Sequence, residues 1–176
     1  GHNYVQEAQA MASVLGDRAI WHMIGHLQRN KAPEAVQLFD IVETLDSLKL
    51  AEILDRRCAQ TNKILPVLIE INSGREANKS GILVEELEEL LINLSNLKHI
   101  QVMGLMTMGP LSANPEDSRP YYRLTREAFE RATKLNIPGI TMRYLSMGMS
   151  DTYRIAIEEG ANIVRIGTKL FGARSN

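Results

Sequence analysis

Short aliphatic runs alternate with amphipathic stretches along most of the chain. The aliphatic runs are of strand length and end in glycine or in small or polar residues, whereas the amphipathic stretches repeat their apolar positions at helical spacing. This pattern predicts strands at residues 19–25, 39–45, 64–71, 101–108, 141–146 and 163–166. It predicts helices at residues 5–15, 47–58, 84–94, 121–135 and 152–159, and a further short helix that begins near Pro33.

A helix followed by strand–helix units and a final strand is the order of a parallel α/β fold with right-handed crossovers. No composition break or linker divides residues 1–176, so the chain is predicted to be a single domain. Six strands fit an open doubly wound sheet, and they fit equally well six of the eight strands of a (β/α)8 barrel. In both architectures a ligand site lies at the carboxyl ends of the strands.

Two turns near the end of the chain carry the strongest chemical signal. Residues 145–151 (LSMGMSD) and 162–172 (NIVRIGTKLFG) each lead from an apolar strand into a turn rich in glycine and hydroxyl groups. Glycine allows a ligand to approach the backbone, and hydroxyls with free amides are natural partners of a phosphate. Because one helix separates the two turns, they are predicted to close on one phosphorylated ligand. The alternative is two ordinary tight turns.

Composition narrows the class of protein without identifying it. Of the 176 residues, 44% are hydrophobic and 23% are charged, as in an ordinary globular domain, and the net charge of -1 indicates neither nucleic acid nor an anionic membrane as a partner. No apolar run is long enough to span a bilayer. Cys58 is the single cysteine, so an internal disulfide is excluded and a cytoplasmic location is expected. We interpret Cys58 as helix packing.

Several motifs together resemble one known family, the YggS/PROSC proteins of pyridoxal 5'-phosphate (PLP, vitamin B6) homeostasis. The resemblance runs from end to end of the chain, and its most specific parts are the WHMIGHLQRNK and LSMGMSD segments. The matching segments are residues 1–7 (GHNYVQE), 21–31 (WHMIGHLQRNK), 45–47 (LDS), 79–81 (KSG), 104–108 (GLMTM), 145–151 (LSMGMSD) and 164–168 (VRIGT).

This resemblance implies a (β/α)8 TIM-type barrel like the N-terminal domain of alanine racemase (a fold type III PLP barrel), with PLP at the carboxyl ends of its strands. By motif, Ser146 and the backbone of Gly167 and Thr168 hold the phosphate, and Ser150 also approaches it. Arg165 faces the pyridine nitrogen. A guanidinium there keeps that nitrogen unprotonated, which weakens the cofactor as an electron sink.

The resemblance also predicts that part of the family's barrel is absent. The family's PLP-bearing lysine lies on the first barrel strand, before every residue of this chain. The first strand, the first helix, most of the second strand and the lysine are therefore expected to be missing, and PLP binding is expected to be weak and non-covalent. His2 stands where the family usually has glutamate.

Other residues are weaker candidates for the cofactor pocket. Asn3, at the end of the shortened second strand, and His26, near the end of the next strand, are predicted to line the pocket. Met106 is a candidate contact for the PLP ring. His22 is interpreted as a satisfied core histidine, and no carboxylate or cysteine stands at metal-ligand spacing from the histidines, so no metal site is predicted.

The predicted function is that of a PLP carrier or regulator that buffers the cofactor and passes it to PLP-dependent apo-enzymes. We expect no dedicated catalytic residue and a monomeric protein. The alternative is an amino-acid racemase or lyase of the alanine racemase type. That reading requires a general acid–base group at the substrate α-carbon, and the sequence offers no convincing tyrosine or cysteine for it.

Overall fold

The computed structural model describes residues 1–110 and 112–172, and it contains the alternating elements that the apolar pattern predicts. The strands are β1 (His22–Met23), β2 (Ile41–Leu45), β3 (Leu65–Ile71), β4 (Ile100–Thr107), β5 (Ile140–Met149) and β6 (Ile163–Arg165). The α-helices are α1 (Val5–Leu15), α2 (Ala32–Leu38), α3 (Leu48–Thr61), α4 (Leu87–Leu94), α5 (Arg119–Lys134), α6 (Tyr153–Glu158) and α7 (Thr168–Phe171). Short 3-10 turns occupy Gly16–Arg18, Arg29–Lys31, Val84–Glu86 and Pro115–Ser118.

The sheet decides between the two architectures that the sequence allowed. Its six strands are parallel and lie in the order β1-β2-β3-β4-β5-β6, so that each strand neighbours the next one along the chain. A doubly wound sheet reverses its strand order at a switch point, whereas a barrel does not. The structure therefore has the topology of a partial (β/α)8 barrel.

The first residues of the chain extend this sheet beyond β1. His2 forms a parallel bridge with Met23, in which the His2 amide donates to the His22 carbonyl oxygen at 2.9 Å and the Ile24 amide donates to the His2 carbonyl oxygen at 3.0 Å. Gly25 packs so closely on Asn3 that a β-carbon at residue 25 would lie 2.4 Å from the Asn3 carbonyl oxygen. These contacts bring residues 1–3 beside the end of β1.

Strand periodicity separates an apolar face of the sheet from a polar one. In β3, Val67, Ile69 and Ile71 belong to the large apolar cluster between the sheet and the helices, whereas Leu68 is buried outside that cluster. Alternate residues point to opposite faces, so Glu70 lies on the face of Leu68. This second face, the inner face of the curled sheet, carries the buried polar side chains described below.

Local chemistry sets the bounds of α3. The Ser47 hydroxyl accepts a hydrogen bond from the Leu50 amide at 3.4 Å, which makes Ser47 the N-cap, and the helix ends at Asn62 in the left-handed conformation with a φ of 51°. Cys58 is buried in this helix, and its burial raises the pKa of the thiol to about 11. The interpretation of Cys58 as packing is confirmed.

Most predicted elements are present, but several bounds differ, and strand β5 in particular continues to Met149, three residues beyond its predicted end at Ser146. Helix α1 has the predicted bounds, but the predicted strand 19–25 is reduced to His22–Met23 because Ile20 lies exposed before it and Gly25 packs on Asn3. The short helix α7 was not predicted. Within the described residues, no helix combines the length and the apolar character needed to cross a membrane.

Candidate functional site

A cavity of about 930 Å³ opens at the carboxyl ends of the strands. Five predicted site residues lie on its wall: Asn3, Ser150, Arg165, Gly167 and Thr168. The other wall residues are Gly1, His2, Glu7, Met11, His22, Ile24, Glu43, Met108, Met149, Asp151, Ile163, Val164, Ile166, Phe171 and Gly172. The cavity thus lies between the first residues of the chain and the β6–α7 turn.

Three predicted site residues lie elsewhere. Met106 and Ser146 are completely buried on β4 and β5, below the strand ends that form the rim. His26 belongs to a second cavity of about 360 Å³, where its Nδ1 lies 2.9 Å from the Ser80 hydroxyl and 3.3 Å from an Asp46 carboxylate oxygen. The structure therefore does not bring Ser146, Met106 or His26 to the wall of the large cavity.

The two turns that the sequence singled out meet in space. Strands β5 and β6 are neighbours, with Met149 paired to Arg165. The Ser150 hydroxyl, just after β5, accepts hydrogen bonds from the amides of Gly167 and Lys169 just after β6, both at 3.3 Å. One side-chain oxygen thus joins the two strand ends on the cavity wall, and the predicted closeness of the turns is confirmed.

Gly167 leaves this part of the wall open. Its φ of -118° is accessible to any residue, and a β-carbon built there meets no atom within 4 Å. Gly148 is different, because its φ is 87° and a β-carbon would lie 2.5 Å from that of Ala156. The fold therefore requires glycine at residue 148 but not at residue 167, and the space beside Gly167 suits a ligand group that approaches the backbone.

Arg165 supplies a fixed cation to the same cavity. Its Nη1 donates to the Ser146 hydroxyl at 2.6 Å and its Nη2 donates to the Thr107 carbonyl oxygen at 2.8 Å. Burial lowers the pKa of Arg165, while the nearby Glu43 carboxylate opposes that change. Since a guanidinium stays protonated in proteins, Arg165 can only donate hydrogen bonds.

Glu43 lies behind Arg165 on β2 and was not predicted as a site residue. Its Oε1 lies 2.6 Å from His22 Nδ1, and its Oε2 accepts a 2.6 Å hydrogen bond from the Ser146 hydroxyl and lies 4.0 Å from Arg165 Nη1. Burial acts to raise the pKa of Glu43, but the hydrogen bonds from His22 and Ser146 and the charge of Arg165 outweigh burial and lower it. The contact with Glu43 confirms that His22 is satisfied, but His22 is not a core residue, because its side chain is 21% exposed and lies on the cavity wall.

A second buried carboxyl, Glu70 on β3, has a different environment. It forms part of the wall of the smaller cavity, and its Oε2 has no hydrogen-bond partner among the described residues. The pKa of Glu70 is raised to about 7, mainly by burial and also by the Asp46 carboxylate, while Arg165 opposes both effects. Glu43 and Glu70 are each a single acidic residue inside an apolar run, and this feature of the sequence could have marked them as buried carboxyls.

The arrangement suits a small phosphorylated ligand that also carries a hydrogen-bond acceptor. Backbone and hydroxyl groups of the Ser150–Gly167 turn can meet an anionic group, and the Arg165 guanidinium lies two residues before that turn on the same wall. Residues 1–110 and 112–172 contain no group of three or more His, Cys, Asp or Glu side chains that could hold a metal ion. The hydroxyl, amide and guanidinium groups that share one wall favour an organic phosphate as the ligand.

One family model and several curated relatives match nearly the whole chain. The family described as alanine racemase, N-terminal domain matches residues 1–175. A pyridoxal phosphate homeostasis protein of Aquifex aeolicus is 42% identical over 175 residues, which cover 99% of this chain and 76% of the relative.

Solved structures share the fold. PipY of Synechococcus elongatus PCC7942, with PLP bound, superposes with a TM-score of 0.86 at 34% identity, covering 97% of this chain and 79% of PipY. Alanine racemase of Clostridium difficile 630 superposes with a TM-score of 0.77 over 99% of this chain and 43% of the racemase. Its 16% identity supports a common fold alone.

Proposed function

The chain belongs to the alanine racemase N-terminal domain family and, within it, to the pyridoxal phosphate homeostasis proteins, and we propose that it binds PLP in the cavity of about 930 Å³. In this proposal the protein is a carrier or regulator of PLP, without a catalytic turnover of its own. It acts as a monomer in the cytoplasm and hands PLP to apo-enzymes that use this cofactor. The homeostasis name of the relatives and the PLP bound to PipY support the proposal.

The observation that carries the proposal is the open wall at Gly167 beside the Ser150 hydroxyl. We assign the phosphate to Ser150, Gly167 and Thr168, which replaces the Ser146 contact expected from the sequence. Ser146 is buried, and its hydroxyl already accepts a hydrogen bond from Arg165 and donates one to Glu43. Its role is therefore to hold Arg165 rather than to contact the phosphate. Asn3 stays a candidate contact on the opposite wall.

Arg165 gives the proposed site its carrier character. Bound PLP supplies a reactive aldehyde and an electron-accepting ring. A guanidinium that faces the pyridine nitrogen donates a hydrogen bond to it and disfavours its protonation, so the ring becomes a poor acceptor for the electrons of a carbanion. The contacts of Arg165 with Ser146 and Thr107 hold the guanidinium on the cavity wall for that role.

A PLP titration followed by absorbance and fluorescence tests the binding site. We expect saturable binding of one PLP per chain, with competition by inorganic phosphate. Gly167→Ala fills the open wall and should weaken PLP binding about tenfold, which corresponds to about 1.4 kcal/mol. Gly109→Ala is the matched control, because a β-carbon there meets only ordinary contacts of 3.5 Å or more. Equal PLP affinity for both variants would overturn the assigned phosphate position.

A second experiment separates the carrier from a racemase or lyase. The PLP-loaded protein is incubated with individual amino acids, and the enantiomer ratio and keto-acid formation are followed over time. The carrier proposal predicts no steady turnover. Racemisation or α-elimination at ordinary enzymatic rates, about 1 per second or faster, would refute it.

A further inference from the structure

Glu43 is the one residue that connects both β1 and β5 to the environment of Arg165 by side-chain hydrogen bonds among the described residues. We propose that Glu43 is a positioning residue, which holds Arg165 through Ser146 and thereby sets the preference of the site for a pyridine nitrogen. This inference rests on the proposed PLP site. It goes beyond that proposal because it gives Glu43, which the sequence did not predict as a site residue, an indirect part in the recognition of one ring atom.

The direction of the hydrogen bonds follows from the chemistry of their groups. Arg165 Nη1 can only donate, so at 2.6 Å the Ser146 oxygen accepts from it. The single proton of the Ser146 hydroxyl then points to Glu43 Oε2, also at 2.6 Å. Glu43 must therefore accept, which agrees with its lowered pKa. The path from guanidinium to hydroxyl to carboxylate has one consistent set of proton positions.

A second contact fixes the carboxylate itself. His22 Nδ1 lies 2.6 Å from Oε1, so the two oxygens of Glu43 have different partners on different strands. The carboxyl group is 1% exposed, and water does not replace either partner. With Nη2 bound to the Thr107 carbonyl oxygen, the guanidinium is held at two nitrogens by buried groups. Arg165 lies on the cavity wall, so the N–H groups of its guanidinium that are not used in these two bonds can donate to a ligand in the cavity.

The charge of Glu43 also compensates the buried guanidinium. The Arg165 side chain is only 7% exposed, and Glu43 Oε2 lies 4.0 Å from its Nη1. Replacing Glu43 by glutamine removes this charge and introduces an NH2 group, which competes with Nη1 for the Ser146 oxygen. The guanidinium then loses one of its two fixed contacts. A ligand contact that depends on its orientation should weaken, whereas a contact with the Ser150–Gly167 turn, which does not involve the guanidinium, should not.

A pair of ligands measures this effect directly. Pyridoxine 5'-phosphate carries the ring nitrogen and the phosphate but no aldehyde, and an analogue with C–H in place of the ring nitrogen keeps the phosphate. We expect the unaltered protein to prefer the pyridine ligand about tenfold by calorimetry, which is the scale of one hydrogen bond to a charged group. In Glu43→Gln this ratio should fall towards one, with inorganic phosphate affinity within about twofold of the original.

Three further variants make the result specific. Ser146→Ala should lower the ratio in the same way, and the double variant should add nothing, because both residues act on one path. Glu70→Gln is the matched control. Glu70 is also a buried glutamate on the inner face, but among the described residues it makes no hydrogen bond to Arg165 or Ser146 and interacts with Arg165 only through its charge, so its ratio should fall far less than that of Glu43→Gln. Should Glu43→Gln fail to fold, Ser146→Ala carries the same test.

The outcomes separate this inference from the function on which it rests. An unchanged preference for the pyridine ligand in Glu43→Gln, or in Ser146→Ala, would overturn the positioning role. A comparable fall of the ratio in Glu70→Gln would also overturn it, because the effect would then follow the loss of any buried carboxyl. If the unaltered protein binds neither phosphorylated ligand, the proposed PLP site itself is wrong.

Discussion

Glu43 and Glu70 lie on the neighbouring strands β2 and β3 and are almost equally buried, yet their pKa values move in opposite directions. The pKa of Glu43 is lowered despite its burial, whereas burial raises that of Glu70 to about 7. Glu43 has His22, Ser146 and the charge of Arg165 around it, and Glu70 has an oxygen without a partner. The partners of a buried carboxyl, rather than its depth, decide whether it is charged.

The two halves of the inner face therefore differ in their electrostatic character. The half with Glu43 holds an ion pair whose charges fix one another, which is what a site for a polar ring atom needs. The half with Glu70 holds a carboxyl that is neutral or charged according to pH. A buried ion pair contributes little net stability while both partners are present, but the loss of one partner is costly.

The largest expected effect comes from breaking the ion pair. Arg165→Leu leaves the Glu43 carboxylate buried without its cation, and we expect the free energy of unfolding to fall by about 3–5 kcal/mol. Urea unfolding at pH 7, followed by circular dichroism, measures this change. The same variant should also lose PLP affinity.

A second substitution tests the cause of that loss. Glu43→Gln in the Arg165→Leu background removes the unpaired charge and should restore part of the stability, so that the double variant is more stable than Arg165→Leu alone. If Arg165→Leu unfolds at the same urea concentration as the unaltered protein, Glu43 does not depend on Arg165 and the contrast with Glu70 loses its basis.

A smaller effect should come from Glu70, and it depends on pH. The pKa of Glu70 is about 7 in the folded chain against an ordinary value of 4.5, so the folded state holds this proton more tightly than the unfolded state. The unaltered protein should therefore lose up to about 3 kcal/mol of stability as pH rises from about 4.5 through 7, and the loss should be complete by about pH 8. Glu70→Gln should lack this decline, as measured by urea unfolding at pH 5 and pH 8.

Glu43→Gln should show the opposite pH dependence of stability in the same urea-unfolding measurement. Because the folded-state pKa of Glu43 is lowered, its contribution is present above the ordinary pKa and is lost as pH falls through the folded value. The deficit of Glu43→Gln relative to the unaltered protein should thus shrink on acidification. The same pH trend in both variants would contradict opposite pKa changes for the two carboxyls.

The smallest effect concerns Cys58, a third buried ionisable group. Its pKa is raised to about 11 by burial, so it resembles Glu70 in being kept neutral. We expect a thiol reagent to leave the folded protein almost unmodified at pH 8 and to label it fully in urea, as measured by mass spectrometry. Rapid labelling of the folded chain would show that Cys58 is accessible and that its burial does not keep the thiol neutral.

The sequence predicted the parts of the fold that depend on local pattern. The helix Val5–Leu15, the alternation of strands and helices along the chain and the meeting of the turns around Ser150 and Gly167 all follow from periodicity and turn chemistry. The barrel topology did not follow from the pattern, because strand order is decided by long-range packing. The family resemblance implied the barrel, and the sheet order confirms it.

Depth within the barrel was the harder property to predict. Ser146 and Ser150 stand four residues apart on one segment, but Ser146 lies inside the sheet and Ser150 at its rim, and only the length of β5 distinguishes them. Glu43 and Glu70 were overlooked because their strands are dominated by aliphatic neighbours. Which partners a buried acid finds is decided on other strands, so no local pattern reports it.

The bond from the Gly167 and Lys169 amides to the Ser150 hydroxyl has a consequence for how a phosphate would come and go. The Ser150 hydroxyl oxygen occupies the position at which an anion could accept hydrogen bonds from these two amides. An arriving phosphate would exchange with this internal substitute, and the released hydroxyl could then donate to the phosphate. When the phosphate leaves, the Ser150 hydroxyl would again accept hydrogen bonds from the two amides. The amides would thus have an acceptor both with and without the phosphate. Such an exchange would lower the barrier to release, as the proposed carrier function requires.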